Sequence, residues 1–239
     1  MAHTQTTPRI LSRQEASAVL NASSNSARGM ELRMTRPSEN WRAIKRRAML
    51  ELLYWCGLRA MEVLNIRDYE VEWPNPGNDL RCYLHLSRTK GNKPRTVPVP
   101  DIAVEWLQLW RERSEDWKRR TGSTSEYLFH DCLRGKGHQI TKPQTTRALR
   151  YIVRNAAVDA LGEAGADGVS IHTFRHTYCT DRLEDGAPLE AVAALAGHSS
   201  TRTTQIYTHL RPEYLSDLVK DAGKPKTGPK RKYQDNDDE

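Results

Sequence analysis

The sequence predicts an α+β fold that is mostly α-helical, with a small three-stranded antiparallel sheet near its N-terminal third. Three observations support this prediction. Apolar residues recur at helical spacing over most of the 239 residues. The spacing changes to alternation only around residues 80–86. No stretch approaches the roughly 18 consecutive apolar residues that a membrane-spanning helix needs.

The composition excludes integral membrane proteins, collagen-like chains and disulfide frameworks. Lys and Arg number 37 against 30 Asp and Glu, a formal net charge of +7, and 37% of the residues are hydrophobic. The first 30 residues hold no apolar stretch typical of a secretory signal. We therefore expect a cytoplasmic protein with no membrane partner and a mild attraction to polyanions. Four cysteines without Cys-x-x-Cys spacing predict reduced thiols and no zinc site.

Two helices are predicted in the first quarter of the chain. Ser12 and Glu15 have the spacing of a capping box, and the helix that they begin is expected to extend through Leu20. The stretch from Asn21 to Ser38 is rich in Ser, Asn, Gly and Pro and is predicted to be mainly loop. Ser38 is then expected to cap a longer helix with one apolar face.

A short helix and a β-meander are predicted next. Gly57 suits the position just beyond a helix end, and a short helix is expected from Arg59 towards Ile66. The three predicted strands are residues 71–73, 80–86 and 96–99. Pro98 predicts that the third strand lies at an edge of the sheet.

The remainder of the chain is predicted to be helical. Asp101 is expected to cap a helix that carries several tryptophans. Further helices are expected at about residues 145–161, 172–185, 188–196, 200–208 and 212–221. The charged segment 222–239 contains Pro225 and Pro229 and is predicted to be disordered. The organisation expected is an N-terminal tail over 1–10, one domain over 11–221, and this second tail.

Four clusters of polar residues are candidates for chemistry. They are Arg59 with Glu62, Lys90 in a tight turn, His172 with Arg175, and His198 followed nine residues later by Tyr207. Each has an ordinary structural explanation when taken alone. An Arg–Glu pair on a helix is usually a surface ion pair, and a turn lysine is usually solvated.

One alternative is a zinc protease. His172 and His176 have the spacing of the two zinc ligands in His-Glu-x-x-His, but position 173 is Thr, so the general-base Glu is missing. The sequence therefore predicts no metalloprotease.

Taken together, the clusters resemble the catalytic domain of the tyrosine recombinases, the phage-type integrases. That family has Gly-Leu-Arg-x-x-Glu-Leu, a β-hairpin Lys, His-x-x-Arg-His, Gly-His, and Thr-Thr-x-x-Tyr-x-His. All five are present here in this order, over roughly residues 10–221. Val63, Phe174 and Ala196 replace apolar residues that are more usual beside these motifs. The resemblance implies the tyrosine recombinase catalytic fold.

The resemblance also implies a role for each site residue. Tyr207 would attack a DNA phosphodiester and form a 3′-phosphotyrosyl link. Arg59 and Arg175 would bind the two non-bridging oxygens, as planar guanidinium groups suit phosphate. His172 would accept the phenol proton, Lys90 would protonate the leaving 5′-oxygen, and His198 would hydrogen-bond the phosphate. Glu62 is expected to support Arg59 or the backbone. The resemblance implies no cofactor, metal or ATP.

The expected partner is double-stranded DNA, and the expected assembly is a homotetramer on two recombination sites. The helix at 212–221 is a candidate for docking on a neighbouring protomer. No separate core-binding domain is expected, so the chain is either a minimal recombinase or a fragment of a longer protein. Two alternative functions stay open: a type IB topoisomerase-like relaxing enzyme and a non-catalytic DNA-binding relative.

Overall fold

The computed structural model describes residues 9–24, 37–75, 77, 80–89, 93–130 and 145–197. Within them the predicted class is confirmed: the chain is mostly helical with one three-stranded antiparallel sheet. The elements are α1 (Arg13–Ser24), α2 (Pro37–Trp55), α3 (Ala60–Asn65), β1 (Val71–Glu72), β2 (Cys82–Leu86), β3 (Arg95–Val99), α4 (Asp101–Thr121), α5 (Thr146–Gly165), α6 (Ile171–Glu184) and α7 (Leu189–Ala196). The helices predicted at 200–208 and 212–221, and the tail 222–239, lie outside the described residues.

Helix α2 is the centre of the core. Leu50, Leu52 and Leu53 are fully buried, because α2 packs against α1, α4 and α6. A helix that is apolar around most of its circumference needs such neighbours on several sides. After α2, the chain turns at Gly57 with φ of +59°, as predicted. This turn lies against α6, since a methyl group built on Gly57 would lie 2.3 Å from Cδ1 of Tyr178.

The boundaries of the first two helices differ from the prediction. The capping box is present, since Ser12 N–H donates to Glu15 and Glu15 N–H donates to Ser12. However, α1 extends to Ser24 instead of ending near Leu20. Its last turn is buried, and its serine hydroxyls bond to carbonyls three residues earlier. Helix α2 begins at Pro37, so Ser38 lies inside it and is not its cap; proline suits a first helical position.

The sheet is the predicted meander, in the order β1-β2-β3. Leu84 pairs with Val71 on one side and Val97 on the other. In the described sheet, β3 pairs with β2 alone, so Pro98 lies on an edge strand as predicted. The expected half-buried alternation is wrong for two residues. Leu80 is exposed and precedes the strand, while Tyr83 is buried although His85 on the same face of β2 is exposed.

The later helices begin close to their predicted positions. The prediction that Asp101 caps α4 is wrong: Pro100 is the cap, and Asp101 is the first helical residue, where a carboxylate interacts favourably with the helix dipole. Helix α5 continues beyond the predicted end, across a break at Gly162, to residue 165. Ser170 caps α6 by accepting from Thr173 N–H. Within the described part of the chain, no helix is long and apolar enough to cross a membrane.

Candidate active site

Arg59 is held at the N-terminus of α3 by two separate parts of the chain. Its backbone N–H donates to Glu62 Oε2 at 2.8 Å, and its Nη1 donates to Glu62 Oε1 at 3.1 Å. Its Nη2 donates to the carbonyl of Gly197, just beyond α7, at 2.6 Å. The guanidinium group is therefore oriented both by its own helix and by the end of α7. The predicted support of Arg59 by Glu62 is confirmed.

Arg95 is a member of this site that the sequence analysis missed. Its Nη1 and Nη2 donate to Glu62 Oε1 and Oε2 at 2.6 and 2.9 Å. Each oxygen of Glu62 thus accepts one bond from Arg95 and one from Arg59. The signal that points to Arg95 is the burial of Glu62, since a buried carboxylate needs its full set of donors.

The environment of Glu62 sets its charge. Burial alone raises the pKa of this carboxyl, but the hydrogen bonds and charge of Arg95, and then those of Arg59, outweigh burial and lower the pKa to about 2. Glu62 is therefore an anion over the whole neutral range. It acts as a structural carboxylate that orients two arginines.

Arg175 enters the site from the first half of α6 and is buried. Its Nη1 donates to the carbonyl of Gly57 at 2.8 Å. Its Nη2 has no hydrogen-bond partner among the described residues. Burial, and then repulsion from the nearby Arg59, lowers the pKa of Arg175 to about 10. The group stays charged at neutral pH, and an anion bound between the two arginines would relieve both effects.

The remaining predicted site residues are only partly described. His172 is exposed on the first turn of α6, three residues before Arg175, so the two lie on neighbouring positions of one helix surface. Lys90, His198 and Tyr207 lie outside the described residues. On either side of Lys90 in the sequence, the described residues Thr89 and Lys93 are linked, since Lys93 N–H donates to Thr89 Oγ1 at 3.1 Å. Arg59 and Arg175 are thus the predicted residues that the structure brings together.

The site is suited to a phosphate group. Arg59 and Arg95 bond to the carboxylate of Glu62, and Arg175 is near enough for its pKa to respond to Arg59 and Glu62. The cluster of these three arginines and one glutamate carries a net charge of +2. Planar guanidinium donors match the paired oxygens of a phosphodiester. Among the described residues, no group of three or more His, Cys, Asp or Glu side chains is placed to hold a metal ion.

The substitution Glu62→Gln should destabilise the fold at neutral pH. The loss of unfolding free energy relative to the wild type should be smaller in acid. The pKa of Glu62 is lowered from 4.5 to about 2, which corresponds to about 3–4 kcal/mol at ~1.4 kcal/mol per pKa unit. This stabilisation is fully present above pH 4.5 and is lost as the pH falls towards 2. Urea unfolding of both proteins between pH 7 and pH 3 should show the difference narrowing with acidity. A difference that stays constant over that range would contradict the assignment.

The comparisons with known proteins identify the family and the fold of this chain. The sequence matches the phage integrase family over residues 11–213. It is 35% identical over 172 residues to the tyrosine recombinase XerD of Pseudomonas putida, covering 72% of this chain and 52% of that protein. The chain spans about half the length of the curated relatives that it matches.

Solved structures share the fold at low sequence identity. The XerH site-specific recombinase bound to its difH substrate, a pre-cleavage complex, has a TM-score of 0.61 at 21% identity, covering 86% of this chain and 51% of that one. A lambda integrase tetramer bound to a Holliday junction has a TM-score of 0.51 at 18% identity, covering 85% and 49%. The chain has the tyrosine recombinase catalytic fold and belongs to the phage integrase family.

Proposed function

We propose that the protein is a site-specific DNA recombinase that cleaves and rejoins strands through a 3′-phosphotyrosyl intermediate. The observation that carries the proposal is the pairing of Arg59 with Arg175. Two guanidinium groups from distant parts of the chain lie close together, and Nη2 of Arg175 has no partner among the described residues. A phosphodiester supplies the oxygens that such a pair lacks.

In the proposed cleavage step, one phosphorus–oxygen bond forms as another breaks. The phenol oxygen of Tyr207 bonds to phosphorus, and the bond from phosphorus to the 5′-oxygen breaks. His172 accepts the phenol proton, and Lys90 donates a proton to the departing 5′-oxygen. A 5′-hydroxyl from the partner strand then reverses the step, which completes the exchange without an external source of energy.

The two arginines stabilise the transition state of this step. Negative charge builds up on the non-bridging oxygens when phosphorus becomes five-coordinate. Donors that are already oriented stabilise this charge without reorganising during the reaction. The bonds from Arg59 to Glu62 and Gly197, and from Arg175 to Gly57, supply that orientation. His198 adds a further hydrogen bond to the phosphate in this scheme.

A basic surface beside the site supports DNA as the substrate. A cleft of about 540 Å³ between α1, α2 and α5 is lined by the cations Arg42, Lys45, Arg46 and Arg147. The start of α5 adjoins the start of α3, because Thr146 Oγ1 contacts Met61 Sδ at 3.4 Å. Arg147, one residue beyond Thr146, lines the cleft, and cations of this kind suit a phosphate backbone; Asp159 lines it as well.

The assembly that we propose is a homotetramer on two DNA sites in the cytoplasm. Relatives of this fold include a tetramer on a Holliday junction, which supports the proposal by analogy. We assign the catalytic domain to residues 11–221 and intersubunit docking to the segment 212–221.

Covalent capture tests the proposal. A pool of nicked duplexes with randomised sequence is incubated in EDTA with wild-type protein. The protein is then denatured, and the DNA that stays covalently attached to it is isolated and sequenced. The nick lets the short strand diffuse away after cleavage, so the phosphotyrosyl link accumulates. We expect adducts with wild type and none with Tyr207→Phe, which lacks the nucleophilic oxygen.

The other results separate the competing functions. Adducts that persist in Tyr207→Phe would contradict the assigned nucleophile. Protein that binds the pool and forms no adduct would be a non-catalytic DNA-binding relative. Relaxation of supercoiled plasmid at concentrations where no paired sites form would indicate a type IB topoisomerase-like enzyme.

A further inference from the structure

We propose that Arg95 is a positioning residue for strand cleavage, acting on Arg59 through both Glu62 and Gly197. The inference rests on the proposed function, which assigns Arg59 to the scissile phosphate. Arg95 lies at the start of β3, a strand that carries none of the six residues assigned to the reaction. Its side chain is only 14% exposed, so it is part of the interior of the site.

The first connection is through Glu62. Both terminal nitrogens of Arg95 bond to the two carboxylate oxygens, an arrangement that fixes the plane and the rotation of the carboxylate. The same two oxygens hold the backbone N–H and Nη1 of Arg59. Any movement of the carboxylate therefore moves the guanidinium group of Arg59.

The second connection is through Gly197. A methyl group built on Gly197 would lie 2.8 Å from Cζ of Arg95, so the guanidinium group packs directly against this backbone. Gly197 has a φ of +66°, and its carbonyl accepts from Nη2 of Arg59 at 2.6 Å. Arg95 thus contacts both residues to which the Arg59 side chain bonds. His198 is the next residue in the sequence after Gly197.

The positive charge of Arg95 also affects how strongly Arg59 attracts phosphate. Glu62 alone would neutralise Arg59 and reduce its attraction for phosphate. Because Arg95 balances the charge of Glu62, the positive charge of Arg59 is left for an anionic ligand. Two substitutions separate the two effects, since Arg95→Lys keeps the charge and loses the paired bonds, while Arg95→Met loses both.

The test is a single-turnover cleavage assay at saturating protein, together with the Kd for the same duplex. We expect Arg95→Lys to lower the cleavage rate by about 10- to 100-fold with the Kd changed less than about threefold, as expected for a misplaced catalytic group. Arg95→Met should lower the rate at least as much and also weaken binding. Combining Arg95→Lys with Glu62→Gln should cost much less than the product of the single effects, because both act through one contact.

The matched control is Arg47→Lys. Arg47 also forms a buried ion pair with a glutamate, Glu51, but within the core of α2. The substitution Arg47→Lys should lower the thermal stability of the protein without changing its cleavage rate at saturating protein. Cleavage by Arg95→Lys at the rate of Arg47→Lys would overturn the proposal.

A second measurement decides the inference even if the wild type does not cleave DNA. In arginine-labelled protein, the side-chain NMR signal of Arg59 is identified by its loss in Arg59→Lys. We expect that signal to shift in Arg95→Lys and to stay in place in Arg47→Lys. An unchanged Arg59 signal in Arg95→Lys overturns the positioning role. Absence of covalent adducts with wild type counts against the proposed function alone.

Discussion

Arg175→Lys should lower the rate of strand cleavage by about 100- to 1,000-fold, the typical cost of removing one oriented donor from a transition state. Arg175 uses one nitrogen to bond Gly57 and has a second nitrogen without a partner among the described residues. A lysine has a single nitrogen at the end of its side chain, so it cannot hold the carbonyl and a phosphate oxygen in the same planar geometry. Single-turnover cleavage of a nicked duplex measures the loss.

The control for this substitution lies on the same helix. Arg182 is also a buried arginine of α6, but it pairs with Asp185 at 3.0 Å, outside the site. Arg182→Lys should reduce stability and leave the cleavage rate at saturation close to that of the wild type. Equal losses of cleavage rate in Arg175→Lys and Arg182→Lys would show that both substitutions disturb α6 as a whole. The proposed role of Arg175 would then be wrong.

Gly57→Ala should destabilise the fold by about 2–6 kcal/mol, from two costs that add. A left-handed backbone costs a non-glycine residue of order 1–3 kcal/mol, and Gly57 has a φ of +59°. The added methyl group would also lie 2.3 Å from Cδ1 of the buried Tyr178 ring, and overpacking of this kind costs typically ~1–3 kcal/mol. Urea unfolding would measure the loss.

Gly122 offers a matched comparison for that experiment. It has a φ of +70°, and an added methyl group would meet no atom within 4 Å. Gly122→Ala therefore bears the backbone cost alone, and the difference between the two variants isolates the contact with Tyr178. If both variants lose the same stability, the close packing of α6 on the turn after α2 would be contradicted.

Local features of this fold are predictable because their causes lie within a few residues. The capping box of Ser12 and Glu15 and the turn at Gly57 follow from neighbouring residue types. The contact between Arg59 and Glu62 also needs only one turn of helix. The predicted end of α1 was wrong because burial against other helices stabilises its last turn, and the local sequence pattern does not indicate such burial.

Contacts between distant segments could not be predicted in the same way. Arg95 is one of many arginines in the sequence, and only the antiparallel register of β2 and β3 brings it to Glu62. Likewise, the bond from Arg175 to Gly57 depends on how α6 packs on α2. The resemblance to a family identified Arg59 and Arg175 as partners because it carries information about the tertiary fold. The catalytic roles of all six residues stay predictions: Arg59, Lys90, His172, Arg175, His198 and Tyr207.

The two site arginines are anchored crosswise on the main chain. Arg175 of α6 bonds the carbonyl that precedes α3, and Arg59 at the start of α3 bonds the carbonyl that follows α7. Detachment of α6 and α7 from the first half of the chain would break both of these backbone anchors together. By thermodynamic linkage, a phosphate bound between these groups would stabilise the junction of the two halves, so the proposed DNA substrate would raise the stability of the fold.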